Sequence, residues 1–165
     1  MGSGKTTIGN RLAKKLDLAF FDCDEEIEKQ TGASVNLIFE IEGETGFRQR
    51  ESRMLRDLAA RNGVLLATGG GAVVSESNRK LLRKNGIVVY LRTSVAQQLN
   101  RLRRDRSRPL LQTDNKETRL EELARLRNPM YEAVADLVIP VKNRNIDRTV
   151  EQIYQAICSF ENQAS

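Results

Sequence analysis

The sequence predicts an α/β fold, with a central parallel sheet and helices on both faces. Three observations lead there. Four short runs rich in Val, Ile, Leu and Phe lack polar alternation, as strands covered on both faces do. Longer segments with helical spacing separate these runs, the alternation from which layered parallel sheets are built. The 165 residues hold no internal repeat, low-complexity tract or linker, so they form one domain spanning 1–165.

The elements follow in order. Ile8, Leu12 and Leu16 share one side of a first helix over 6–16, which opens directly on Gly4-Lys5-Thr6. Leu18-Ala19-Phe20-Phe21-Asp22 reads as the first strand. Helices over 24–30, 34–42 and 44–61 lead to a second strand, Val64-Leu65-Leu66-Ala67-Thr68. A helix over 76–84 precedes the strand Ile87-Val88-Val89-Tyr90-Leu91. Helices over 94–104 and 117–134 come before Leu137-Val138-Ile139-Pro140-Val141, and one over 147–160 closes the chain. Between 107 and 115 the pattern breaks into a polar stretch holding Arg108-Pro109, a candidate mobile loop, with a plain surface loop as the commoner reading.

Composition narrows the chemistry. The chain has no histidine, which excludes imidazole catalysis and His-ligated metal. Acid–base work falls to Asp, Glu, Lys and Arg. Lys and Arg outnumber Asp and Glu by 27 to 22, a net charge of +5 that suits an anionic ligand. A nucleic-acid partner fits the charge alone, but the run Arg101, Arg103, Arg104, Arg106, Arg108 has no interleaved aromatic residues for stacking bases. No apolar run approaches the roughly 18 residues of a membrane span. Cys23 and Cys158 suggest no disulfide framework, so the expected location is the reducing cytoplasm.

Three motifs carry candidate chemistry. Gly2-Ser3-Gly4-Lys5-Thr6-Thr7 matches the end of a phosphate-binding loop, whose opening glycine would fall two places before Met1. Glycines turn backbone N–H groups around phosphate oxygens, Lys5 meets the β/γ-phosphates, and the Thr6 hydroxyl suits Mg²⁺. An N-myristoylation pattern also begins Met-Gly, but it does not explain Lys-Thr-Thr running into an amphipathic helix. Asp22-Cys23-Asp24 ends the first strand, with one aspartate available to metal and one to substrate. The plainer alternative is that Asp24 simply caps the following helix. Thr68-Gly69-Gly70-Gly71 calls for close approach to the backbone or for positive φ.

With Gly46-Phe47-Arg48, Arg108-Pro109-Leu110-Leu111 and Arg127-Asn128-Pro129-Met130-Tyr131, these motifs resemble the shikimate kinase family along essentially the whole chain. The resemblance implies a three-layer P-loop kinase fold with sheet order 2-3-1-4-5. It implies transfer of the ATP γ-phosphoryl group to the 3-hydroxyl of shikimate, in aromatic amino-acid biosynthesis, with Mg²⁺. Its substrate region would be the helices over about 24–61, and its mobile lid would span about 105–118. Asp24, Arg48, Gly70 and Arg127 would bind shikimate, the two arginines gripping its carboxylate. Lys5, Asp24 and Arg108 would be catalytic. Gly2, Ser3, Gly4, Lys5, Thr6, Thr7, Arg101, Arg108 and Arg144 would contact ATP, and Thr6 and Asp22 would serve the metal. The expected protein is a cytoplasmic monomer that binds small molecules, neither nucleic acid nor membrane.

One departure stands out. The family's first strand leads into the phosphate loop and lies inside the sheet, between the second and third strands named above. It is absent from these 165 residues. A start assigned too far downstream, a truncation or a degenerate homologue would each explain that. A chain starting at Met1 is therefore expected to fold poorly and to be a weak kinase. A gluconate-kinase-like enzyme, a catalytically dead relative and a basic RNA-binding domain are the competing readings.

Overall fold

A computed structural model describes residues 4–102, 115–141 and 145–164. Helix α1 (Lys5–Leu16) starts on Gly4, whose φ of 82° is left-handed and strained for any residue with a side chain. Its Ile8 and Leu12, four residues apart, are buried together. Strand β1 (Ala19–Asp22) follows, then α2 (Cys23–Thr31) and α3 (Val35–Ala59). The Ser34 side chain accepts from the Leu37 amide at 3.2 Å and so caps α3. Gly43, at φ 69° and ψ −177°, kinks α3 at the residue where the sequence separates two helices.

Strand β2 (Val64–Ala67) runs into the glycine loop and a single 3₁₀ turn (Ala72–Val74). Ser75 caps α4 (Glu76–Asn85), and β3 (Val89–Arg92) leads to α5 (Val95–Leu102). Helix α6 (Lys116–Val134) runs through Pro129 before β4 (Leu137–Pro140) and α7 (Ile146–Ala164). Residues 116–118, at the end of the stretch 105–118, form the first turn of α6. Residues 105–114 lie outside the described residues.

The strands pair in parallel as two separate couples, β1 with β2 and β3 with β4. That is the expected sheet order with its middle position open. Among the described residues no strand lies between β2 and β3. A cavity of about 750 Å³ lies there instead. Val64–Ala67 and Val88–Leu91 line it, with Ile8 and Leu12 of α1 and Ile153 of α7. The sequence leads one to expect fully buried strands, yet Val64, Leu65, Leu66, Val89, Tyr90 and Leu91 are only half-buried. Each belongs to a strand that borders the cavity on its inner edge.

Two cores hold the layers. Ile27, Phe47, Leu55 and Leu58 pack beneath α2 and α3. Ile8, Leu12, Ile139, Val150 and Ile153 join α1 and α7 to β4. Burial of one such side chain contributes about 1.5–3 kcal/mol. Close packing also sets the backbone, since a Cβ at Gly9 of α1 would collide with the Phe20 ring of β1.

Candidate active site

The site forms where β1 and β2 end side by side, Asp22 lying opposite Ala67. The Thr6 hydroxyl, in the first turn of α1, donates to Asp22 Oδ2 at 2.7 Å. Asp22 is buried and does a second job. Its Oδ1 accepts from the Asp24 amide at 3.0 Å, which makes Asp22, and not Asp24, the cap of α2. The strand ends at Asp22 and helix geometry begins at Cys23, so strand alternation does not relate the two aspartates. Asp22 faces Thr6, while Asp24 lies near Gly69. Capping fixes the position from which Asp24 projects.

Between those aspartates Cys23 is fully buried, and its thiol is pushed up to about 12 by burial and the carboxylates of Asp22, Asp24 and Glu51. A thiol held so firmly protonated is no nucleophile.

The glycine loop explains itself through its neighbours. None of Gly69, Gly70 and Gly71 takes a positive φ, and close approach accounts for Gly69 and Gly71. A Cβ on Gly69 would strike Glu51 Oε1 and lie 3.1 Å from Asp24 Oδ1. One on Gly71 would strike the Arg48 guanidinium. The Gly70 carbonyl accepts from Arg127 Nη1 at 3.3 Å and from the Tyr131 hydroxyl. Each glycine meets a different polar side chain.

Arg48 and Glu51, one helical turn apart on α3, form an ion pair of 2.7 Å, and Glu44 accepts from the other side of the same guanidinium at 3.1 Å. Glu51 is 1 % exposed and its Oε1 has no hydrogen-bond partner. Burial raises its carboxyl above the ordinary value, and the nearby Asp24 adds to this against the pull of Arg48. Burial opposes the charge on Arg48, but Glu51 and Glu44 more than offset it, and the net shift is upward. Arg127, 5 % exposed, is shifted down by burial and further by the charge of Arg48. Its Nε is a buried donor with no acceptor. Two guanidinium groups that feel one another, one with an unused donor, make a receptor for an anion.

Glu51 has a consequence for stability. Its raised native pKa means the folded state keeps a proton that the unfolded chain has lost just above the ordinary value of 4.5. Stability from this group therefore falls as pH rises from 4.5 through the raised value. Glu51→Gln, which can still accept from Arg48, should flatten that fall when melting temperature is followed against pH. An unchanged slope would take Glu51 out of the account.

The sequence-derived residues divide as follows. Gly4, Lys5, Thr6, Asp22, Asp24, Arg48, Gly70 and Arg127 converge on this end of the sheet, and Lys5, Gly70 and Arg127 line one cavity. Thr7 is exposed beside Thr6 on α1. Gly2, Ser3, Arg108 and Arg144 lie outside the described residues, and so does the side chain of Arg101, on α5. Glu51 and Tyr131 were not anticipated. Their signal was helical spacing, three residues after Arg48 and four after Arg127.

A helix that begins on a left-handed glycine, and whose first threonine bonds the aspartate ending a neighbouring parallel strand, defines a class: small ATP-dependent phosphotransferases built on a phosphate-binding loop. Comparison with known proteins narrows it. The family model for shikimate kinase matches residues 1–158, and the chain belongs to that family. A shikimate kinase of Thioalkalivibrio sulfidiphilus is 55% identical over 153 residues, covering 93% of this chain and 80% of the relative. One from Haemophilus influenzae is 48% identical over 158 residues, covering 95% and 88%. Among solved structures, shikimate kinase from Acinetobacter baumannii in complex with shikimate matches with a TM-score of 0.95 and 47% identity, covering 96% of this chain and 89% of that one. The Aquifex aeolicus enzyme matches at 0.81 and 32%, covering 99% and 94%.

Proposed function

We propose that this chain transfers the γ-phosphoryl group of ATP to the 3-hydroxyl of shikimate, giving shikimate 3-phosphate. The observation that carries this reading is that Arg48, the unused Arg127 donor and Asp24 gather around the glycine loop, beside the Thr6–Asp22 contact. Phosphoryl transfer depends on positioning and charge neutralisation more than on covalent chemistry.

Arg48 and Arg127 hold the acceptor carboxylate through their planar forks, and Gly70 borders the ring. Asp24 accepts the proton of the attacking hydroxyl, the one such base among these residues in a chain without histidine. Gly2, Ser3, Gly4, Lys5, Thr6 and Thr7 cradle the phosphates, Lys5 neutralising charge. Arg108, outside the described residues, would add positive charge at the phosphates. Arg101 and Arg144 border the adenine. Thr6 and Asp22 would hold Mg²⁺, and their fit is good: a hydroxyl and a carboxylate already 2.7 Å apart suit a hard cation that keeps most of its waters. Bound there, Mg²⁺ would neutralise phosphate charge. The protein acts as a monomer in the cytoplasm, on small molecules. No helix among the described residues is long and apolar enough to cross a membrane.

The reading is tested by coupled assay of ATP consumption with shikimate, with gluconate as the competing acceptor. Turnover with gluconate alone would overturn it. Arg127→Lys keeps the charge but loses the fork, and should raise the KM for shikimate roughly 10–100-fold with little change for ATP. An unchanged shikimate KM would remove Arg127 from carboxylate binding.

A further inference from the structure

Tyr131 lies one helical turn beyond Arg127 on α6, so both side chains leave the same face of the helix. Both donate to one atom, the carbonyl oxygen of Gly70, which has two lone pairs and can hold both. The arginine stands at 3.3 Å, just beyond the usual range for such a bond. Burial raises the Tyr131 hydroxyl above its ordinary value, which keeps it protonated and able to donate. Its ring is held in turn. It stacks on Tyr90 of β3 with centroids 4.9 Å apart, and the Tyr90 hydroxyl donates to Asn128 Oδ1 at 3.1 Å. Side chains from α6 and β3 thus fix the phenol over the end of β2.

We propose that Tyr131 is a positioning residue for the acceptor: it holds the Gly70 carbonyl on which Arg127 Nη1 rests, and so seats the guanidinium with its unused Nε turned to the acceptor's carboxylate. This rests on the shikimate kinase reading above. A guanidinium has five N–H donors, and Nε with Nη2 can form the bidentate grip while Nη1 stays on Gly70. Without the hydroxyl, the part-buried carbonyl keeps only the 3.3 Å contact to Arg127, and the guanidinium loses a fixed seat. The penalty then falls on acceptor binding. ATP, which meets the phosphate loop at α1, is spared.

Tyr131→Phe keeps the ring and its stack on Tyr90 and removes the hydroxyl, with both its bond to Gly70 and its contact with the Arg127 guanidinium. In the full chain, assayed with shikimate and ATP, the variant should show a shikimate KM raised about tenfold. Its ATP KM should stay near that of the parent, and its kcat should change less than the shikimate KM. Calorimetric titration with shikimate alone should show the same weakening, with the melting temperature within a few degrees of the parent. An unchanged shikimate KM would overturn the proposal. So would equal weakening toward both substrates together with a large fall in melting temperature, because that pattern marks general loosening of α6. If the parent chain shows no turnover of shikimate, the functional reading fails and the proposal with it. If the parent works and only the variant's expected split is missing, the proposal alone fails.

Discussion

Asp24→Asn should cut turnover of shikimate roughly 10²–10⁴-fold while leaving ATP binding close to that of the parent chain. The substitution preserves shape and removes the capacity to take a proton. It should also preserve the fold, because the cap of α2 belongs to Asp22, which accepts from the backbone amide of residue 24 whatever its side chain. The carboxylate lies beside Gly69 and Glu51, on the glycine-loop side of the site, away from the Thr6–Asp22 contact. Nucleotide affinity should therefore survive. Steady-state kinetics with each substrate varied, together with a melting curve, separate the effects. Near-normal turnover in a well-folded variant would remove Asp24 from the mechanism.

How much of this was legible beforehand depends on the kind of signal. The four strands were, because an apolar run bounded by helical patterns is a local property, and β1, β2 and β4 differ from the reading by one residue at most at each end. β3 is shifted by one to two residues, to Val89–Arg92. The break in the long helix at Gly43 was also legible, since glycine weakens a helix wherever it stands. The glycine loop could be read as a site of close approach, but its visitors could not. Glu51, Arg48, Arg127 and Tyr131 come from two helices distant in the sequence, and only packing brings them to Gly69, Gly70 and Gly71. Glu51 is the clearest case. Arg48 and Glu51 at i, i+3 read as an ordinary surface pair, which contributes little. Burial changes its meaning, and burial is set by Met54, Leu55 and the strands beneath α3.

Extending the chain upstream of Met1 by about ten residues, the length of a strand and a turn, should raise both thermal stability and ATP affinity. The segment should be apolar, with a glycine two places before Met1 to complete the phosphate-loop pattern. The structure supplies the reason. β2 and β3 are each paired on one side only, among the described residues, and their inner edges border the same apolar cavity of about 750 Å³. Both belong to parallel pairs, so a parallel strand between them would complete one four-plus-one sheet in place of two couples. Each buried backbone group left without a partner costs about 1–3 kcal/mol. Several such groups rival the whole margin of a domain, about 5–15 kcal/mol. Restoring a few of them should lift the melting temperature by about 10 °C or more. The same strand would end beside Lys5, which also lines the cavity, and would anchor the loop whose N–H groups cradle phosphate. Nucleotide affinity should then rise with stability rather than independently of it. The check is to purify the parent and the extended protein and compare melting temperature, ATP affinity and turnover with shikimate. A control extension of equal length in Gly and Ser should do nothing. Equal stability and equal turnover in all three would mean that the inner edges of β2 and β3 are satisfied in another way, and that the phosphate loop is held from α1 alone.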